Sequence, residues 1–211
     1  MPFCRLFFIA LATFCAGSGC SPAAPAAPAP DRAALRAAWA AWTAARDSLF
    51  ASAEGPLAPP AQAAFAGLPY FPYDSAFAVA AALVPAVSTD TVRFPTSTGE
   101  LRPMVRAGQL VFTAGRGADA VERRLAAYVP VGPDAAAGEL FVPFRDATSG
   151  RQTYGGGRYL DLAVAPLGMY VLDFNRAYHP YCVYSPAYSC PLPPAENTLA
   201  LPVEAGERLG A

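Results

Sequence analysis

The side chains best able to do chemistry are gathered in the C-terminal third of the chain. Seven of the ten tyrosines fall between Tyr154 and Tyr188. They interleave with three polar blocks: Thr153 to Asp161, which contains Gly155-Gly156-Gly157-Arg158; Asp173 to His179; and Cys190 to Asn197. Tyrosine rings with a polar tip suit the wall of a ligand pocket, and equally a core of hydrogen-bonded rings. Three successive glycines mean a backbone turn with positive φ or a close approach by another group. Arg158 enters a strand-like run, placed either to grip an anion or to lock onto a carboxylate such as Asp146 or Asp173. The candidate binding residues are therefore Tyr154, Gly155, Gly156, Gly157, Arg158, Asp161, Asp173, Asn175, Tyr178, Glu196 and Asn197.

A second chemistry would use carboxylates. Asp146, Asp161, Asp173 and Glu196 all lie in the polar blocks, and acid–base hydrolysis needs two such groups a few ångströms apart in different environments. Cys182 and Cys190 are eight residues apart, and in an exported protein such a pair is expected to form a disulfide. Closing so short a loop would stabilise the fold by roughly 2.5 kcal/mol and pin the proline-rich segment after Cys190. Metal binding by His179, Cys182 and Cys190, completed by Asp173 or Glu196, is the sharper alternative. The spacing His-x2-Cys-x7-Cys matches no common zinc pattern, so neither metal nor cofactor is expected.

Composition removes whole classes. All 15 basic residues are arginine, which excludes Schiff-base, Ser–Lys and P-loop lysine chemistry. With His179 as the single histidine, multi-histidine metal centres are excluded too. A net charge of −1 without a basic run gives no footprint for nucleic acid. No Gly-x-Ser-x-Gly elbow and no His-Glu-x-x-His motif is present. Gly115 to Ala120 fits Gly-x-Gly-x-x-Ala, but without βαβ alternation around it the segment reads as a turn.

The first nineteen residues read as an export signal. Arg5 precedes an apolar run from Leu6 to Ala16, too short for a bilayer span of about 20 residues. Gly17-Ser18-Gly19-Cys20 resembles a lipobox, which makes Cys20 the acylated mature N-terminus and a membrane the partner through that lipid. Residues 20–31 form a Pro/Ala-rich tether with four prolines between 22 and 30, an extended spacer of about 30 Å. The protein is expected in the cell envelope, lipid-anchored, on the periplasmic face or at the outer membrane if the organism has two membranes.

Residues 32–211 read as one domain that must position these blocks. Asp31 is a good N-cap, and Leu35, Trp39, Trp42, Arg46, Leu49 and Phe50 recur at helical spacing, predicting an amphipathic helix over 32–52. Short apolar or alternating runs follow: 77–83, 91–94, 101–106, 109–113, 124–129, 139–144, 158–164 and 170–174. Ala107-Gly108 reads as a hairpin turn between two of them. The fold class is mainly β, sandwich or barrel-like, with an N-terminal helix; by strict counting it is α+β.

The blocks Thr153 to Asp161, Asp173 to Tyr178 and Cys190 to Asn197 resemble those of domain-of-unknown-function family 1684, bacterial and archaeal. The likeness begins at Trp42 to Phe50 and Gly67 to Pro72 and ends at Glu204 to Glu207. It implies a single domain and no particular activity. In that family asparagine is usual where this chain has His179, so the resemblance implies no shared role for the imidazole. The leading expectation is a tethered module binding a small ligand or partner through 155–161 and 173–197. A carboxylate hydrolase and a purely structural domain are the alternatives.

Overall fold

The computed structural model describes residues 31–115, 117, 120–132 and 138–210. The expected signal, acylated Cys20 and tether up to residue 30 lie outside them. Helix α1 (Arg32–Phe50) starts where its cap predicts: Asp31 Oδ1 accepts the backbone N–H groups of Ala33 and Ala34 at 2.9 and 3.2 Å. Its buried residues, Arg46 and Phe50, sit toward its C-terminal end, where it meets the rest of the fold. A short helix α2 (Pro59–Ala63) follows. Seven strands follow among the described residues: β1 (Ala78–Pro85), β2 (Thr91–Pro95), β3 (Leu101–Ala114), β4 (Val121–Pro130), β5 (Glu139–Phe144), β6 (Arg158–Ala163) and β7 (Met169–Asp173).

They form one antiparallel, nearly closed sheet in the order β6-β5-β4-β3-β1-β7, with β2 on the other part of β3. The 14-residue β3 is the hub, paired with β1, β2 and β4. The expected hairpin at Ala107-Gly108 is instead a bulge inside β3, where the register against β4 shifts. A Cβ on Gly108 would stand 2.3 Å from the carbonyl oxygen of Val84, so this glycine marks the close approach of β1. The Gly115 to Ala120 segment links β3 to β4, which pair Ala114 with Val121. It joins two hydrogen-bonded neighbours, and Val121 to Leu125 is strand where a dinucleotide turn would need a helix.

Alternation gives the sheet two apolar faces. Leu125, Val142, Phe144 and Leu160 enter the main core with Leu110, Phe112 and Leu172. Their neighbours Ala126, Phe141 and Tyr159 point the other way and join Phe94, Met104 and Tyr128 in a smaller cluster. Asp161, two residues after Tyr159, continues that second face.

Two places would leave the sheet open, and each is closed by a residue from a polar block. The free side of β6 exchanges backbone hydrogen bonds with Tyr178, 2.9 and 3.0 Å, through Tyr159. Between β4 and β5 the ladder is reduced to Tyr128 opposite Phe141. There the fully buried Asn197 takes the place of a strand. Its Oδ1 accepts the Ala126 N–H at 2.8 Å, and its Nδ2 donates to the carbonyls of Ala126 at 2.9 Å and Pro143 at 2.7 Å.

Candidate functional site

Most of the polar blocks build the fold. Arg158 is 1% exposed. Its Nη2 donates to Asp146 Oδ2 and to the Val203 carbonyl, each at 2.8 Å. Its Nη1 donates to the carbonyls of Ala205 and, at 3.1 Å, Glu207. Of the two roles open to Arg158, the structure shows the lock onto Asp146 and not the grip on an anion, and the guanidinium also pins the 203–207 segment. Gly157 has φ +99°, and a Cβ there would lie 2.6 Å from the Phe144 carbonyl oxygen. Gly156 lies under the Tyr154 ring, where a Cβ would meet Cε1 at 2.3 Å, and Gly155 sits beside Gly150 in the same corner. Asn175 clamps residue 74 by accepting its N–H at 3.0 Å and donating to its carbonyl at 2.9 Å. Asp173 Oδ1 in turn holds Asn175, at 3.1 Å from its N–H and 2.8 Å from Nδ2. Glu196 lies outside, paired with Arg106 at 2.9 Å and accepting the Tyr128 hydroxyl at 2.8 Å.

The four carboxylates considered for hydrolysis thus have four separate sets of partners. Of the eleven candidate binding residues, Asp161 and Tyr178 alone line the principal cavity. Asp161 is the one carboxylate of the four that does.

This cavity, about 890 Å³, lies on the second face of the sheet. One wall is an aromatic panel. The Phe141 and Tyr159 rings meet edge-on at 4.7 Å, and Tyr159 meets Tyr178 at 5.7 Å. Phe141 and Asp161 are opposite each other in the β5–β6 ladder, which sets the carboxylate beside the rings. The Tyr178 hydroxyl donates to Asp161 Oδ2 at 2.6 Å. Part of the Asp161 side chain is exposed in the cavity, but desolvation of its carboxyl raises it above the usual range, opposed by the Tyr178 hydrogen bond. Burial and the Asp161 charge hold the Tyr178 phenol well above its ordinary value.

A strap, residues 180–191, also lines the cavity and carries Tyr181 and Tyr188 with rings 5.1 Å apart. Trp42 of α1 and Arg102 of β3 complete the lining, and Arg102 Nη2 donates to the Ser189 carbonyl at 2.9 Å.

The strap was expected to be held by a disulfide. Cys182 and Cys190 are free thiols here, with the Cys182 N–H donating to Cys190 Sγ at 3.3 Å. Main-chain bonds do the pinning instead. Ser97 N–H donates to the Cys190 carbonyl at 2.9 Å, and Leu192 N–H donates to the Pro95 carbonyl at 2.8 Å. Burial pushes the Cys190 thiol up to about 12, so it is protonated at neutral pH.

Behind the strap lies an ionic cluster that sequence reasoning missed. Arg46 Nε donates to Glu207 Oε1, and the guanidinium sits 4.6 Å from the centre of the Tyr178 ring. Glu207, fully buried, also accepts the His179 N–H at 2.7 Å and the Tyr184 hydroxyl at 3.0 Å. A signal existed: Arg46 falls on the apolar stripe of α1, where a charge needs a partner.

His179 is 1% exposed, and its Nε2 accepts the Tyr154 N–H at 3.2 Å. Burial, with Arg158 and Arg46 nearby, lowers its pKa to about 3. The unfolded imidazole, near 6.5, therefore binds a proton that the folded one refuses. Stability is present above pH 6.5 and is lost as pH falls toward 3. Glu207, raised by burial, acts in the opposite sense. Comparison with His179→Asn isolates the imidazole, because asparagine offers an amide oxygen to Tyr154. Urea unfolding at pH 7 and pH 4 should show the wild type losing about 3 kcal/mol more than the variant. Equal losses would remove the buried neutral imidazole as a cause.

With the geometry in hand, comparison with known proteins adds the lineage. The model of a family described as "Protein of unknown function (DUF1684)" matches residues 63–208. The chain belongs to this family. A solution NMR structure of an uncharacterized protein of Haloarcula marismortui is similar, with 34% identity and a TM-score of 0.65. The match covers 84% of this chain and 95% of that one. No curated protein matches. The DUF1684 match begins after α1, so Trp42 and Arg46 reach the cavity from outside the matched span.

Proposed function

We propose that this DUF1684 protein is a small-ligand binding module of the cell envelope, held to a membrane by a lipid on Cys20 and spaced from it by the Pro/Ala-rich segment. The observation that carries the reading is the 890 Å³ cavity. It is walled by aromatic rings and holds a few convergent polar groups, the usual make-up of a ligand pocket. Its lining favours binding over catalysis. The Cys190 thiol is protonated at neutral pH. The Ser189 hydroxyl is engaged with those of Thr96 at 2.8 Å and Thr98 at 2.6 Å, and among the described residues no base is bonded to it.

The test uses the full chain, extracted from an exporting host in a polyoxyethylene detergent, denatured, and analysed for released small molecules by mass spectrometry. Ala187 is exposed and lines the cavity, so Ala187→Trp narrows it without touching the core. A compound should be released from the wild type and be depleted at least tenfold in the variant. Equal recovery from both would contradict the reading.

A further inference from the structure

Resting on that reading, we propose that the cavity takes a neutral, polyhydroxylated ring compound, a short glycan, laid along the aromatic panel with its hydroxyls shared between Asp161 and Arg102. Three observations carry this.

The first is the panel itself. Phe141, Tyr159 and Tyr178 meet edge to face on the sheet side of the cavity, and Tyr181 and Tyr188 meet edge to face on the strap. A lining of ring edges and faces suits a ring compound whose faces are C–H and whose edges are hydroxyl. The volume, about 890 Å³, exceeds what a single sugar ring needs and fits two or three linked rings.

The second is the pairing of donors and acceptors beside the aromatic rings. Asp161 Oδ2 accepts from Tyr178, which leaves Oδ1 to accept from a ligand hydroxyl. Arg102 spends Nη2 on the Ser189 carbonyl, and its fork carries further N–H groups that can donate to ligand oxygens. A hydroxyl both donates and accepts, so one ligand group type satisfies both.

The third is charge. Asp161 and Glu100 are set against Arg102 in the lining, and Arg46 is neutralised by Glu207. Arg46 and Arg176 both act electrostatically on Asp161, as does Glu139 in the opposite sense. With Arg46 spent on Glu207, two carboxylates stand against one guanidinium, so an anion is disfavoured, whereas a neutral polar ligand meets no repulsion.

Trp42 lines the cavity, while the other tryptophan, Trp39, packs on Tyr73 at 5.3 Å. Emission of the full chain in polyoxyethylene detergent therefore reports occupancy, with Trp39→Phe isolating Trp42. The probes are chitotriose, cellotriose and maltotriose, with choline chloride and sodium butyrate as charged comparators at fixed ionic strength. At least one trisaccharide should give a saturable change. Asp161→Ala and Tyr188→Ser should each weaken it at least tenfold, with the melting temperature of Asp161→Ala unchanged. Saturation by choline or butyrate with the trisaccharides silent would overturn the glycan assignment while leaving the cavity as a ligand site. Silence of all three trisaccharides at 50 mM would overturn it as well. Release of a non-glycan compound in the preceding experiment would separate the two readings in the same way.

Discussion

Replacing Arg158 by leucine is expected to bring the domain close to unfolding. The substitution removes the cation from Asp146, whose side chain is 1% exposed, and strips donors from the carbonyls of Val203, Ala205 and Glu207. Breaking a buried pair by removing one partner costs about 3–5 kcal/mol, against a total stability of roughly 5–15 kcal/mol for a domain. Lysine should not rescue it, because one ammonium cannot reproduce a planar fork reaching four acceptors. The double variant Arg158→Leu with Asp146→Leu should recover part of the loss, since it no longer leaves a carboxylate unpaired. Urea unfolding of the wild type and the three variants decides it. A midpoint for Arg158→Leu within error of the wild type would mean that the guanidinium is not the pin of the C-terminal segment.

Asn197→Ala has the second largest expected effect. The amide stands in for a missing piece of ladder, and alanine would leave the Ala126 N–H and two carbonyls buried without partners. At about 1 kcal/mol or more for each group the loss reaches roughly 3 kcal/mol, or about 10 °C in a domain of this size. Asn197→Asp should be at least as damaging, because its carboxylate would face the carbonyls of Ala126 and Pro143. Hydrogen exchange at Ala126 gives the local readout: its protection should collapse first. Unchanged protection with a small shift in melting temperature would show that β4 and β5 hold together without the amide.

Both predictions reverse the meaning of residues that look functional in the sequence. Glycine, arginine and asparagine in rare blocks signal that something unusual is being built, but not whether it is a site or a joint. Here the sheet has two gaps that ordinary strands do not fill, and the blocks fill them: Asn197 between β4 and β5, and Tyr178 against β6. Nothing in local spacing reveals a gap between strands that are remote in sequence.

Strand positions were legible because period-2 alternation is local. Glu139 to Phe144 is both a predicted run and the observed β5. Gly108 misled for an equally physical reason, since glycine serves a turn and a close contact alike, and the carbonyl that it accommodates belongs to Val84. The cavity was legible in part. Its segments, around 159–161 and 178–191, lie inside the stretches singled out, and Asp161 and Tyr178 were named. Trp42, Phe141 and Arg102 are not among the candidate site residues, because tertiary packing alone brings α1, β5 and β3 to one place.

Tyr178 both closes the sheet and lines the cavity, whereas Asp161 only lines it. The most direct test measures melting temperature and retained small molecule together on Asp161→Ala. This side chain is exposed to solvent in the cavity and holds one hydrogen bond, from Tyr178. The expected result is an unchanged melting temperature and loss of the compound released by the wild type. A melting temperature lowered by several degrees, or undiminished release of the compound, would contradict it.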